Sequence, residues 1–189
     1  TTLADVPEIE EVKRIMEILN GINIKVRWSG RNKLTVENSG KINLTNLDKK
    51  ACENTRSSFM LVGALTRQFG KFNFYKPGGC KIGARTVQPH ILGFQHLGIN
   101  IKDKQSYFTI DSSRARAADF TMYEMSDMGT ENLMLAACLL PGKTTVKFTS
   151  SNYQVQEICF FLEKCGVKIE GIGTSTLIIH GVKKIDEDI

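Results

Sequence analysis

The chain has 189 residues, enough for one sizeable core, and its 41% hydrophobic and 24% charged residues are those of an ordinary soluble domain, not of a fibrous, disordered or membrane-spanning chain. A net charge of +5 suits anionic ligands. The Lys and Arg residues are nevertheless scattered among acids, with no basic run and no aromatic–basic interleaving, so no nucleic-acid partner is expected.

No apolar stretch is long enough to span a bilayer, and TTLADVPEIE has neither the basic nor the apolar part of a signal peptide, so no membrane partner is expected. The five cysteines are irregularly spaced and form no disulfide framework. With His90, His96 and His180 they complete no zinc pattern. No metal and no cofactor are expected, and a reducing cytoplasm is the expected compartment.

In chain order, the first predicted helix follows DVPEIEEV (5–12), where Ile9, Val12, Ile15, Met16 and Leu19 recur at helical spacing. It is expected to end at Gly21 in a left-handed conformation. The alternating INIKVRW and KLTVEN then predict a hairpin. Next, ENTR opens a helix that is apolar nearly all round (Phe59, Met60, Leu61, Val62, Ala64, Leu65), closed by Gly70-Lys71 and the strand KFNFY. After the glycine-rich PGGCKIGART (77–86) come a helix in VQPHILGFQHLG, a turn at Gly98 and two strands. The run MGTENLMLAACLLPGK is a second helix with a polar start that is apolar nearly all round (Leu133, Met134, Leu135, Ala136, Ala137, Leu139, Leu140), ending at Gly142-Lys143 before a strand. The last segment, VQEICFFLEKCG, turns at Gly166 into VKI and TLIIHG. Cys138, Cys159 and Cys165 fall on apolar helical faces as small hydrophobes, whereas Cys52 falls in a polar loop without a motif.

These elements form a repeat of helix, strand, helix, strand and strand. The second and third units are complete; the first enters at a strand, so the chain is expected to begin inside a repeat. The all-apolar helices are expected at the centre of the domain.

PGGCKIGART resembles the catalytic loop of the UDP-N-acetylglucosamine enolpyruvyl transferases, the MurA family. ENTRSSFMLVGALTRQFGKF, SDMGTENLMLAACLLPGKTTV, DVPEIEEV and FLEKCGVKIEGIGTSTLIIHGV match in register, so the resemblance covers nearly the whole chain. It implies an α/β fold, an inside-out α/β barrel domain of three such units with the first incomplete. Residues 1–189 would be most of the cysteine-loop domain of a two-domain enzyme, with a complementary second domain as partner. The implied reaction moves the enolpyruvyl group of phosphoenolpyruvate onto a UDP-amino sugar, UDP-N-acetylglucosamine, in peptidoglycan precursor synthesis, releasing phosphate.

The resemblance makes Cys80 the proton donor, alkylated by epoxide antibiotics of the fosfomycin type. The neighbouring Lys81 and Arg85 give the positive field that lowers a thiol pKa. Gly78, Gly79 and Gly83 suit a loop that closes over substrate. Arg85 would contact phosphate and substrate, for which the guanidinium fork is well shaped. Arg56 matches a second substrate-contacting arginine, and Thr86, Val87, Gln88 and Pro89 occupy the uridine-contacting segment. Ser126 and Asp127 stand near the diphosphate, where a helix start attracts anions. A plain helix cap accounts equally well for Ser126.

The sequence departs from that family in four places. Gln88 stands where an aspartate is usual, and Glu124 where a lysine is. Asp127 and Met128 replace a small apolar residue and a glycine, and SNYQVQ replaces an acidic segment. The family's lysine–asparagine pair belongs to the helix expected to precede this segment. Two acids beside a diphosphate would weaken its binding. A second reading is therefore a non-catalytic or altered-specificity paralogue serving as a nucleotide-sugar binding or regulatory module. The intact GGCKIGAR opposes it.

Overall fold

The computed structural model describes residues 1–38, 40–78 and 86–185. Cys80 and Arg85 lie outside the described residues. The protein is mixed α/β. Its elements are β1 (Thr2–Leu3), α1 (Glu10–Gly21), β2 (Ile24–Gly30), β3 (Lys33–Asn38), α2 (Lys49–Asn54), α3 (Leu61–Leu65), β4 (Lys71–Tyr75) and α4 (Gln88–His96). There follow β5 (Asn100–Asp103), β6 (Tyr107–Asp111), β7 (Asp119–Thr121), α5 (Asp127–Ala137), β8 (Gly142–Lys147), α6 (Tyr153–Lys164), β9 (Lys168–Glu170) and β10 (Thr176–Gly181). A 3-10 turn at Ser57–Met60 leads into α3.

Among the described residues the strands form three sheets, ordered β1-β3-β2, β4-β6-β5 and β7-β8-β10-β9. Alternation sets the faces. Phe72 opposes Ile110 and Phe74 opposes Phe108, so β4 and β6 turn apolar side chains inward. Lys71 and Asp111 pair at 3.2 Å on the outer side. The hairpin β9–β10 repeats the scheme with Ile169 opposite Ile179.

The core lies between the sheets and α5. That helix is buried at every position from Gly129 to Ala137 except Leu135, its apolar second half as expected and its polar Thr130, Glu131 and Asn132 as well, and it touches α3, α4 and α6. The α3–α5 approach is close: a Cβ on Gly63 would stand 2.2 Å from the Asn132 carbonyl oxygen. Helix α1 lies further out. It buries Ile18, half-buries Ile15 and Leu19, and exposes a polar face where Arg14 bridges Glu10 and Glu17. Burying a side chain such as Leu133 or Ile18 contributes about 1.5–3 kcal/mol.

Three expectations are corrected, and one strand was not announced by the sequence. Gly98 and Gly166 are left-handed, with φ of 76° and 85°, but Gly21 is the last residue of α1, and the left-handed residue there is Asn23 (φ 72°). Glycine is required at 21 by a close approach: a Cβ would lie 2.8 Å from the Asn46 carbonyl oxygen. Cys52 is not in a polar loop but fully buried in α2, whose start is capped by Asp48 accepting the Ala51 N–H at 2.9 Å. The helix read through ENTRSSFMLVGAL is broken at Thr55, whose backbone is extended. Finally, β7 pairs in parallel with β8, Asp119 opposite Thr145, a strand too short for alternation to announce it.

Candidate functional site

Three stretches far apart in sequence meet at the start of α5. Ser126 takes an extended backbone (φ −143°, ψ 124°), and its hydroxyl accepts the Gly129 N–H at 3.1 Å, which caps the helix. The amides of Asp127 and Met128 lie in the first turn, beyond the reach of any intrahelical carbonyl, and the helix dipole adds partial positive charge there. Arg56 stands where α2 ends and the 3-10 turn begins, and it donates through Nη2 to the Thr86 carbonyl at 2.7 Å. Thr86 in turn accepts the Gln88 N–H at its Oγ1, 3.1 Å away, just as α4 begins.

Arg56, Thr86, His90, Glu124, Ser126, Asp127 and Met128 line one cavity of about 410 Å³. Of the residues singled out in the sequence, Arg56, Thr86, Ser126 and Asp127 thus come together. Val87 is half-buried against the core, and Pro89 is buried in the first turn of α4, where its missing N–H costs nothing. Gln88 is exposed beside them. Neither Val87, Gln88 nor Pro89 is among the lining residues. The residues flanking 79–85 both rest on the 52–56 turn: Gly78 donates to the Cys52 carbonyl at 3.2 Å, and Thr86 accepts from Arg56.

The cavity's charge is mixed. Arg56 supplies a cation, Glu124 and Asp127 two carboxylates, so the acids that depart from the family pattern do face the same space. Further along α5, burial and then Asp127 push the Glu131 carboxyl up. His90, which the sequence did not single out, is 2% exposed, and burial followed by the Arg56 charge lowers its pKa to about 4. Its ring meets Phe59 edge-on, with centroids 5.3 Å apart. A lone histidine on a helix gives no signal in sequence. Its distinguishing partner, Asn132, lies on another helix.

Three of the buried cysteines, Cys52, Cys138 and Cys159, are unsuited to thiolate chemistry. Burial pushes Cys52 and Cys138 up to about 12 and Cys159 to about 11, so none offers a thiolate near neutrality. Among the described residues no group of His, Cys, Asp or Glu is placed to hold a metal ion, and no helix is long and apolar enough to cross a membrane.

The family model "EPSP synthase (3-phosphoshikimate 1-carboxyvinyltransferase)" matches residues 1–189. The chain is 34% identical over 183 residues to the UDP-N-acetylglucosamine 1-carboxyvinyltransferase of Hydrogenovibrio crunogenus, covering 97% of this chain and 44% of the relative. It is 34% identical over 187 residues to the protein of the same name in Dichelobacter nodosus, covering 98% and 44%. The enolpyruvyl transferase NikO from Streptomyces tendae superposes with a TM-score of 0.79 at 17% identity, over 96% of this chain and 42% of that one. EPSP synthase from Acinetobacter baumannii gives 0.73 at 13% identity, over 98% and 42%. These structural likenesses show the fold. The chain spans about 44% of the length of the curated relatives it matches.

Proposed function

This chain belongs to the EPSP synthase family of carboxyvinyltransferases, and from that premise we propose that it is the cysteine-loop domain of a UDP-N-acetylglucosamine 1-carboxyvinyltransferase. The two substrates are phosphoenolpyruvate and UDP-N-acetylglucosamine, and the reaction serves peptidoglycan precursor synthesis in the cytoplasm. The supporting observation is that Arg56, Thr86 and Ser126 line one cavity beside the first turn of α5, in a chain 34% identical to relatives named for this reaction.

In this reading Cys80 protonates the methylene carbon of phosphoenolpyruvate while the sugar hydroxyl oxygen adds to the neighbouring carbon and gives up its proton to water. Loss of phosphate, with return of one methyl proton to the Cys80 thiolate, restores the double bond. Arg85 holds the phosphate, a role suited to a permanent, forked charge. Arg56 fixes the far end of the segment that carries both residues, through the Thr86 carbonyl, and faces the acceptor. The α5 amides and Ser126 receive the diphosphate. Glu124 and Asp127 oppose that anion, so nucleotide affinity is weaker than a lysine at position 124 would give.

The finer architecture follows the same proposal. The three sheets are taken as three copies of one unit closed around α3 and α5 in an inside-out barrel. A complementary second domain forms the other wall of the cleft.

A phosphate-release assay with both substrates tests the reading. Release is expected when this chain is combined with its complementary domain. It is expected to vanish for the chain alone and for Cys80→Ser. Normal turnover by the isolated chain would refute the shared cleft, and full activity of Cys80→Ser would remove the proton donor.

A further inference from the structure

Asn132 is fully buried on α5 and bonds to three different pieces of chain. Its Oδ1 accepts the Gly63 N–H at 2.8 Å; its Nδ2 lies 2.9 Å from the Phe59 carbonyl oxygen and 3.1 Å from His90 Nδ1. The orientation of this amide is forced. A backbone N–H can only donate and a backbone carbonyl can only accept, so the oxygen must face Gly63 and the NH₂ must face Phe59. Turning the amide over would set two donors and two acceptors against each other inside the core, at a cost of several hydrogen bonds. The second hydrogen of Nδ2 therefore points at His90 Nδ1, which must accept it. An imidazole that accepts at Nδ1 carries its proton at Nε2.

His90 also lines the cavity with Arg56, Thr86 and Ser126. We propose that Asn132 is a positioning residue for that cavity: it holds His90 as the uncharged Nε2–H tautomer, so that the site gains a hydrogen-bond donor for a ligand oxygen without gaining a charge. Protonating Nδ1 would break the bond to Asn132 and bring a second cation beside Arg56. Among the described residues Glu124 and Asp127 are the other charged groups lining the cavity, and both are exposed. Gly63 is part of the same device, because any side chain there would push Asn132 away. The ligand class rests on the transferase reading, in which the oxygen belongs to the nucleotide sugar; the tautomer does not.

The test reads the ring nitrogens of His90 by long-range proton–nitrogen NMR on the labelled chain. The wild type is expected to show a protonated Nε2 and a bare Nδ1 at neutral pH, with a midpoint near 4. In Asn132→Asp the carboxylate accepts from Nδ1, so the proton moves to that atom and the midpoint rises above the ordinary 6.5. Adding UDP-N-acetylglucosamine is expected to shift the Nε2 signal of the wild type. A protonated Nδ1 in the wild type, a folded Asn132→Asp with unchanged titration, or an Nε2 signal indifferent to bound ligand would each overturn the proposal. Should Asn132→Asp fail to fold, the wild-type spectrum still decides. Failure of the nucleotide sugar to bind wild-type protein at all counts against the transferase reading alone, since the ring signals are read without ligand.

Discussion

His90 is buried as the uncharged imidazole, and that links the protein's stability to pH. Its folded pKa of about 4 lies below the ordinary 6.5, so between those values the unfolded chain binds a proton that the folded chain refuses. The contribution is fully present above 6.5 and is lost as pH falls toward 4, to an extent on the order of 3 kcal/mol at most. Glu131, whose carboxyl is pushed up, works in the opposite sense, and the held-down Asp111 acts at lower pH. Asp111, held down to about 2 by its bonds to Ser113 and then by Lys71, loses its contribution only as pH drops below 3.8. Denaturant unfolding from pH 7 to pH 4 is expected to show stability falling, with a shallower slope in His90→Gln. Equal slopes would mean that His90 is not buried neutral. At this scale the sequence revealed the residues that carry motifs, such as Arg56 and Ser126. It hid His90, because the group that gives it meaning, Asn132, is 42 residues away.

Helix α5 is where stability and the proposed binding role meet. Ser126 caps it, so Ser126→Ala is expected to cost about 1 kcal/mol, a drop in Tm of roughly 2–4 °C for a domain of this size. Ser126→Asp separates the two roles. A carboxylate also caps a helix, so Tm should hold, but its charge repels an anion and nucleotide binding should fall. Thermal melts paired with calorimetry check this; unchanged binding in Ser126→Asp would reduce the serine to a cap. The elements were legible where a local rule governs them. Gly98 and Gly166 end helices through their own backbone freedom, and Phe72 and Phe74 announce a strand by alternation. They were illegible where a distant contact governs. Gly21 answers to the Asn46 carbonyl, and the three residues of β7 form a strand only because β8 lies beside them.

At the scale of the whole molecule, the three sheets formed by the described residues share one strand order: a strand, then the second strand of the following hairpin, then the first, with β7 added at one edge. The glycine turns and the alternating strands announced the hairpins but not this order, and of the two apolar helices expected at the centre α5 is buried along most of its length, whereas α3 leaves Ala64 exposed. Less readable was the balance of charge around the cavity. Glu124 and Asp127 face the same space as Arg56, and only the fold brings residue 56 to residues 124–128. The claim that this cavity takes a nucleotide sugar is tested most directly by mapping backbone amide shifts as UDP-N-acetylglucosamine is added to the chain. Shifts are expected at Thr86, Gln88 and the first turn of α5 from Asp127 to Thr130, and they should weaken in Arg56→Ala. Shifts clustered on another face, or none at millimolar ligand, would contradict it.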